Sequence, residues 1–243
     1  MKRAFATLAG GCFVLAVGCA DYDIRLGRTY DEMKWQKRLN DNLEEAPTKG
    51  LLQADLIYVR PPKGLKGPTQ NFLFAQVEPG RFDIESSFID ETSKASLHLL
   101  ARIKKPKAPA IKKGPTPAPA ETAPRGKFVD DVIDLVKVAT GVDQMPPLKP
   151  ETKTHADRET AYKTAKLDLP SKDVQFYFLE DPSGVREVAL IFDYPKTEVN
   201  KISPKIGLCL ESAAVGERAR RAFSGSSELE GGAEPEGGAP PPI

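Results

Sequence analysis

Asp173-Val-Gln-Phe-Tyr-Phe-Leu-Glu180 and Arg186-Glu-Val-Ala-Leu-Ile-Phe-Asp-Tyr194 flank the tetrapeptide Asp181-Pro182-Ser183-Gly184. Both runs are rich in β-branched and aromatic residues, which favour strands. The stretch between them holds the residue types that turn a chain: Asp to bond its own backbone, Pro to preset φ, Gly to accept positive φ. The reading is a β-hairpin, hence an antiparallel sheet. Val174, Phe176 and Phe178 share one side of the first strand. Val188, Leu190 and Phe192 share one side of the second.

Working outward, Ser203-Pro204 reads as a helix start, a capping hydroxyl followed by proline at the first helical position. Ile206, Cys209, Leu210 and Ala213 mark its buried face. On the other side of the hairpin, Tyr162 to Leu169 reads as a strand. Phe128, Val132, Leu135, Val136 and Ala139 lie on one helical face, with Asp130 and Asp131 in the first turn, where the helix dipole favours negative charge. Gly141 stops that helix. Farther upstream, Asp55 to Arg60, Phe72 to Val77 and Ser96 to Ile103 read as strands. In the last, Leu97, Leu99, Ala101 and Ile103 share one face, and His98, Leu100 and Arg102 the other.

Residues 104–127 break this pattern. They hold six prolines and seven basic residues against one acidic residue, a composition that cannot bury a core. The expectation is a single α+β domain over 51–223, interrupted by this loop, because either half alone would leave an apolar sheet face uncovered. The tail, 224–243, is rich in Gly, Pro and Glu and is expected to be disordered. Tyr22 to Glu45 reads as a helix: Leu26, Tyr30, Met33 and Lys37 form one stripe, Trp35, Leu39 and Leu43 a second, and Pro47 and Gly50 end it.

A strand running into Pro62-Lys63-Gly64, further strands, a helix, three strands and a last helix carrying Leu210-Glu211-Ser212 together resemble the PsbP-like pattern over about residues 55–215. That resemblance implies an antiparallel sheet packed between helices, a sandwich used mainly for binding or assembly. Fold alone does not fix function.

The amino terminus carries an address. Met1-Lys2-Arg3 is a basic start, and Ala4 to Gly18 is free of charge, the layout of a secretory signal peptide. At about 15 residues the run is shorter than the roughly 20 that span a bilayer as a helix. It ends in Leu15-Ala16-Val17-Gly18-Cys19, which resembles the lipobox of bacterial lipoproteins. The resemblance implies removal of residues 1–18, a diacylglyceryl group on the Cys19 thiol, and a 19–50 segment serving as lipid anchor and helical stalk. Ala20, where an Asp would retain an enterobacterial lipoprotein in the inner membrane, tilts the expected address towards the outer membrane, with the folded part in the periplasm. An ordinary signal peptide cut near Ala20, and a lipobox at Cys12 after Ala9-Gly10-Gly11, are the alternatives.

Catalytic motifs are scarce. The chain lacks a G-x-S-x-G elbow, a Walker loop, a G-x-G-x-x-G turn and an H-E-x-x-H helix. His98 in its strand reads as structural or surface. His155 and Glu159 have the i, i+4 spacing of a shared helix face, but two ligands do not define a metal site, and neighbouring prolines suggest a loop. Gly64-Leu-Lys-Gly67 reads as a turn. Cys209 reads as a buried thiol. Asp130-Asp131 and Glu44-Glu45 are adjacent in sequence and read as solvated or dipole-matched charges. No cofactor or metal is expected. A formal charge of +1, from 35 basic and 34 acidic residues, gives no reason to expect nucleic acid as partner. Two basic clusters, Lys104 to Lys113 and Arg218, Arg220 and Arg221, are candidate contacts for anionic lipid, cell-wall polymer or an acidic partner. The sequence favours a non-catalytic, envelope-tethered binding or assembly module. The alternative is an envelope enzyme with an unrecognised carboxylate- or tyrosine-based site.

Overall fold

The computed structural model describes residues 5–69, 74–104, 126–155 and 158–225. The 105–125 part of the proline-rich loop, with most of the Lys104 to Lys113 cluster, and the 226–243 part of the tail lie outside the described residues. The chain divides into two units, Met1–Asn42 and Leu43–Ile243.

The first unit is one helix, α1 (Phe5–Asn42). Cys19 falls within it; the Cys19 side chain lies outside the described ones. Tyr22, Ile24, Leu26, Tyr30 and Met33 are exposed. Among the described residues no helix is long and apolar enough to cross a membrane.

The second unit opens with α2 (Leu51–Ala54) and contains nine strands and three further helices among the described residues. These are β1 (Ile57–Tyr58), β2 (Lys66–Thr69), β3 (Ile84–Asp90), β4 (Ala95–Ile103), α3 (Phe128–Thr140), β5 (Lys149–His155), β6 (Arg158–Asp168), β7 (Lys172–Glu180), β8 (Arg186–Pro195), α4 (Val199–Ser212), β9 (Ala214–Val215) and α5 (Glu217–Ser224). Seven of the strands form one antiparallel sheet in the order β2-β3-β4-β8-β7-β6-β5; β1 and β9 pair separately. The architecture is α+β, an antiparallel sheet with helices against both faces.

The hairpin sits near the middle of the sheet. Phe176 lies opposite Ile191, and Tyr177 opposite Leu190. Directly opposed residues share a face, so Val174, Phe176 and Phe178 join Ala189 and Ile191, while Val188, Leu190 and Phe192 face the other way. On the first face these five pack with Leu100, Ala165, Leu167 and the Phe128, Val132, Leu135 and Val136 stripe of α3. α4 contacts β5, β6 and β8, and Thr160, on the β6 face away from Ala165, bonds the Ala213 carbonyl just after α4. Strands covered on both sides read as continuous apolar runs. β4 does so: Leu97, Leu99, Leu100 and Ala101 are all fully buried.

β4 pairs with β8 from Ser96 opposite Asp193 to Ile103 opposite Arg186. Residues before and after the proline-rich loop therefore share one sheet. Leu43 and Glu44 also belong to this unit: Leu43 bridges Pro62, the Glu44 amide bonds the Pro61 carbonyl at 2.8 Å, and Arg60 Nε donates to the Glu44 carbonyl.

Several elements differ from the sequence reading. The 55–60 strand shrinks to β1. Phe74 to Val77, the described part of the expected 72–77 strand, is irregular; Phe74, Ala75 and Val77 pack onto the α3-side core instead. Gly64 to Gly67 is a turn only at its start, where Leu65 N bonds Pro62 O. Lys66 and Gly67 enter edge strand β2. A Cβ on Gly67 would stand 2.6 Å from Ser87 O, so glycine there lets the edge strand approach β3. Lys149–His155 is a strand, and Thr154 opposes Glu159 across a β5–β6 hairpin, so His155 and Glu159 do not share a helix face. α4 begins at Val199 with Pro204 inside it. Ser203 is therefore not its cap: Ile202 is buried in a turn that starts before the proline, and that packing outweighs the local capping signal.

Candidate functional site

A shallow concavity lies where β4 ends and β8 begins, beneath the start of α3. It has a volume of about 470 Å³ and is lined by Arg102, Lys104, Gly126, Lys127, Phe128, Val129 and Glu187. The sheet register sets the floor, because Arg102 stands opposite Glu187. α3 supplies the wall. It begins at Phe128 because that side chain drops into the core, and it stops where Gly141 takes the left-handed conformation, φ 69°.

Arg102 is the centre of the site. Its side chain is 7% exposed, and its Nη2 lies 2.5 Å from Asp131 Oδ2. Nη1 donates to the Gly126 carbonyl at 2.8 Å, and Nη2 also donates to the Arg81 carbonyl. The guanidinium carbon lies 5.8 Å from the Phe82 ring centroid and 5.6 Å from that of Phe128, so the cation is also held against two aromatic rings. Arg102 Nε has no hydrogen-bond acceptor among the described residues. Arg81 donates to the other carboxylate oxygen of Asp131 at 3.0 Å. Burial raises the Asp131 pKa, but the hydrogen bonds and charges of Arg102 and Arg81 outweigh it, and the net shift is downward. Asp131 is thus a buried counterion, where the sequence suggested a solvated or dipole-matched charge. Lys104 pairs with Glu187 at the rim, 3.2 Å apart.

The rim carries Lys104 and Lys127 beside one carboxylate, Glu187, with the Phe128 ring in the wall and Arg102 already paired with Asp131 beneath. Such a surface can receive a carboxylate or phosphate by charge-assisted hydrogen bonds. Among the described residues, no three His, Cys, Asp or Glu side chains come together as metal ligands.

Several titratable groups with large shifts lie within the sheet and in α4. Ser87 Oγ and His98 Nδ1 are 2.8 Å apart, as are Ser96 Oγ and His98 Nε2; the Phe74 ring packs on the imidazole. Burial, helped by Lys172, lowers the His98 pKa to about 4. Burial raises Tyr194 to about 12 and, with the nearby Glu151 carboxylate, Tyr162 to about 12. It likewise pushes the fully buried Cys209 thiol to about 12, where a thiolate nucleophile is not available at neutral pH. None of these groups lines the groove.

Arg218, Arg220 and Arg221, a basic stretch in the sequence, lie in the short helix α5. Arg218 donates to the Glu159 carbonyl. Arg220 pairs with Glu217 one turn earlier, at 3.0 Å. These contacts tie the Arg218 and Arg220 guanidinium groups to the protein itself. The Arg81–Asp131–Arg102 cluster was missed, although a signal exists. Asp131 is three residues after Phe128 and four before Leu135, on the apolar stripe of α3, and an acid there needs a cation.

No family model matches the chain, and no curated protein matches it. Among solved structures, cyanobacterial PsbP (CyanoP) from Synechocystis sp. PCC 6803 is similar over 72% of this chain and 93% of its own, at 11% identity and a TM-score of 0.42. The Saccharomyces cerevisiae Ran-binding protein Mog1p is similar over 72% of this chain and 87% of its own, at 10% identity and a TM-score of 0.32.

Proposed function

We propose that this chain is an envelope-tethered lipoprotein, held by acyl groups on Cys19, whose α+β unit is a non-catalytic module that docks an anionic group of an envelope partner in the Arg102 groove. The observation that carries the docking surface is the groove itself: a concave surface with Arg102 fixed at its floor and Lys104 and Lys127 around it. Arg102 is already engaged by Asp131 and two carbonyls, so it holds the floor in place, and the exposed ammonium groups of Lys104 and Lys127 are the ones that meet an incoming anion. The anchor rests on the Leu15-Ala16-Val17-Gly18-Cys19 motif. Two or three acyl chains, at about 0.8 kcal/mol per buried methylene, hold a protein firmly to a bilayer where one chain does not. The expected address is the periplasmic face of the outer membrane.

A photo-crosslinking residue at Val129, on the groove wall, tests the docking surface. It should capture a recurrent envelope protein or cell-wall fragment, and Lys104→Glu with Lys127→Glu should cut that capture about tenfold, the loss expected when rim charges turn repulsive. Arg220→Glu with Arg221→Glu asks the same of the α5 surface. Capture that is absent in every growth condition, or indifferent to the groove charges, overturns the reading. Mass spectrometry of the mature amino terminus tests the anchor: an acylated Cys19 is expected, and a free terminus near residue 20 or 21 overturns it.

A further inference from the structure

We infer that the exposed stripe of α1 lies in the headgroup layer of the membrane that carries the anchor, so that the helix next to Cys19 runs along the bilayer surface. The inference rests on the acylation of Cys19 proposed above and adds a second, independent contact.

The argument starts from helical count. At about 100° per residue, positions 22, 26, 30 and 33 fall within an arc of about 80°, and position 19 falls inside the same arc. The residues on that arc are apolar and open to solvent: Tyr22 is 65% exposed, Leu26 54%, Tyr30 59% and Met33 64%. Ile24 is exposed as well but falls on the far side. Position 19 and the uncovered apolar stripe leave the helix on the same side, so a helix that lies along the bilayer brings the acyl chains and the stripe to it together. From Cys19 to Met33 the stripe spans about 21 Å, at 1.5 Å per residue.

Charge fits the same occupant. Between residues 22 and 37, Lys34 borders the stripe and Lys37 continues it, with Asp23 as the one acid on that half by helical count, while Arg25 and Arg28 fall on the other half. Asp31 and Glu32 fall on the opposite half. Lys34 Nζ lies 4.2 Å from the centre of the Tyr30 ring, an arrangement in which the ring can sink while the ammonium stays with the headgroups. Two tyrosines, a leucine and a methionine beside basic residues form the pattern of an interfacial helix. Anionic phospholipid headgroups are the complementary surface.

The test imposes the anchor chemically. The chain beginning at Cys19 is coupled there to a maleimide lipid with two acyl chains, the fully buried Cys209 being protected by the fold. It is then placed on phosphatidylethanolamine–phosphatidylglycerol vesicles. Nitroxide labels carried on ketone side chains replace Leu26, Met33 or Asp31 in turn. Labels at 26 and 33 should be shielded from an aqueous nickel chelate about tenfold more than the label at 31, as expected of side chains sunk at the acyl boundary. Leu26→Asp with Met33→Asp should return a label at Tyr30 to water without releasing the lipid-coupled chain. Equal aqueous exposure at 26, 33 and 31 overturns the inference. Shielding that scales with protein density and brings spin–spin broadening also overturns it, by assigning the stripe to a second copy. A native Cys19 without acyl mass removes the anchor whatever the labels report, so the two failures are distinguishable.

Discussion

Arg102 Nη2 lies 2.5 Å from Asp131 Oδ2, and this contact ties β4, before the proline-rich loop, to α3, after it. The two charges are largely withdrawn from water, so each depends on the other. Arg81 closes the cluster from the loop before β3. The same carboxylate thus holds three segments that are far apart in sequence, and it fixes the guanidinium that floors the groove.

Removing the acid leaves Arg102 buried without its counterion, while Arg81 keeps only Asp134, 3.8 Å away. Asp131→Asn should destabilise the unit by about 3 kcal/mol, the usual cost of breaking a buried ion pair from one side. Replacing Arg102 by Met at the same time should recover most of that loss, since a buried pair exchanged for apolar groups is often close to neutral. Urea unfolding of the two variants measures both. A loss below about 1 kcal/mol for Asp131→Asn would place the pair in an exposed-like environment.

The loop itself should be dispensable for cohesion. β4 is hydrogen-bonded along β8 from Ser96 to Ile103, and Leu100 packs with Phe176, Ala189 and Ile191. Cleavage at an introduced protease site near residue 115 should therefore leave both fragments together in size-exclusion chromatography until denaturant is added. Fragments that separate and stay folded would show two domains.

Phe176 is fully buried between Phe178, Ile191 and α3. Phe176→Ala should cost about 4 kcal/mol, from lost transfer energy and the cavity left behind. Val138, which is 76% exposed on the outer side of α3, should tolerate Ala within about 0.5 kcal/mol. Thermal or urea unfolding of the pair separates core from surface on one face.

What could be read from the sequence was what local physics decides. The Asp173–Tyr194 hairpin and the 128–140 helix declare themselves through period-2 and period-3.6 patterns, because each buries a face within its own length. β5 escaped because Lys149–His155 is an edge strand, almost wholly polar, next to Pro146, Pro147 and Pro150; an edge strand needs only one partner, so its side chains carry no apolar signal. α4 was misplaced because a good local cap at Ser203 was overruled by the burial of Ile202. The groove was invisible because its lining comes from residues 102, 104, 126–129 and 187, which only the fold brings together. Asp131 was readable, as an acid on an apolar stripe.

His98 makes stability depend on pH. Its folded pKa is lowered to about 4 by burial and Lys172, from 6.5, and each of its ring nitrogens faces a serine hydroxyl. A histidine with a depressed folded pKa stabilises the fold fully only where the unfolded chain also leaves it neutral, above about pH 6.5. Below that, the unfolded state takes up a proton that the native site refuses, and the contribution is lost as pH falls towards the folded value. The full loss is about 3 kcal/mol for a shift of this size, and about 2 kcal/mol of it falls between pH 7 and pH 5. Substitution by a side chain that does not titrate there should remove this slope. His98→Asn, less stable than the native chain at pH 7 because the Ser87 and Ser96 contacts are disturbed, should close most of that gap by pH 5. Urea unfolding of both proteins at the two pH values measures it. Parallel pH profiles would mean that His98 ionises normally in the folded protein, and its burial between Ser87 and Ser96 would have to be abandoned.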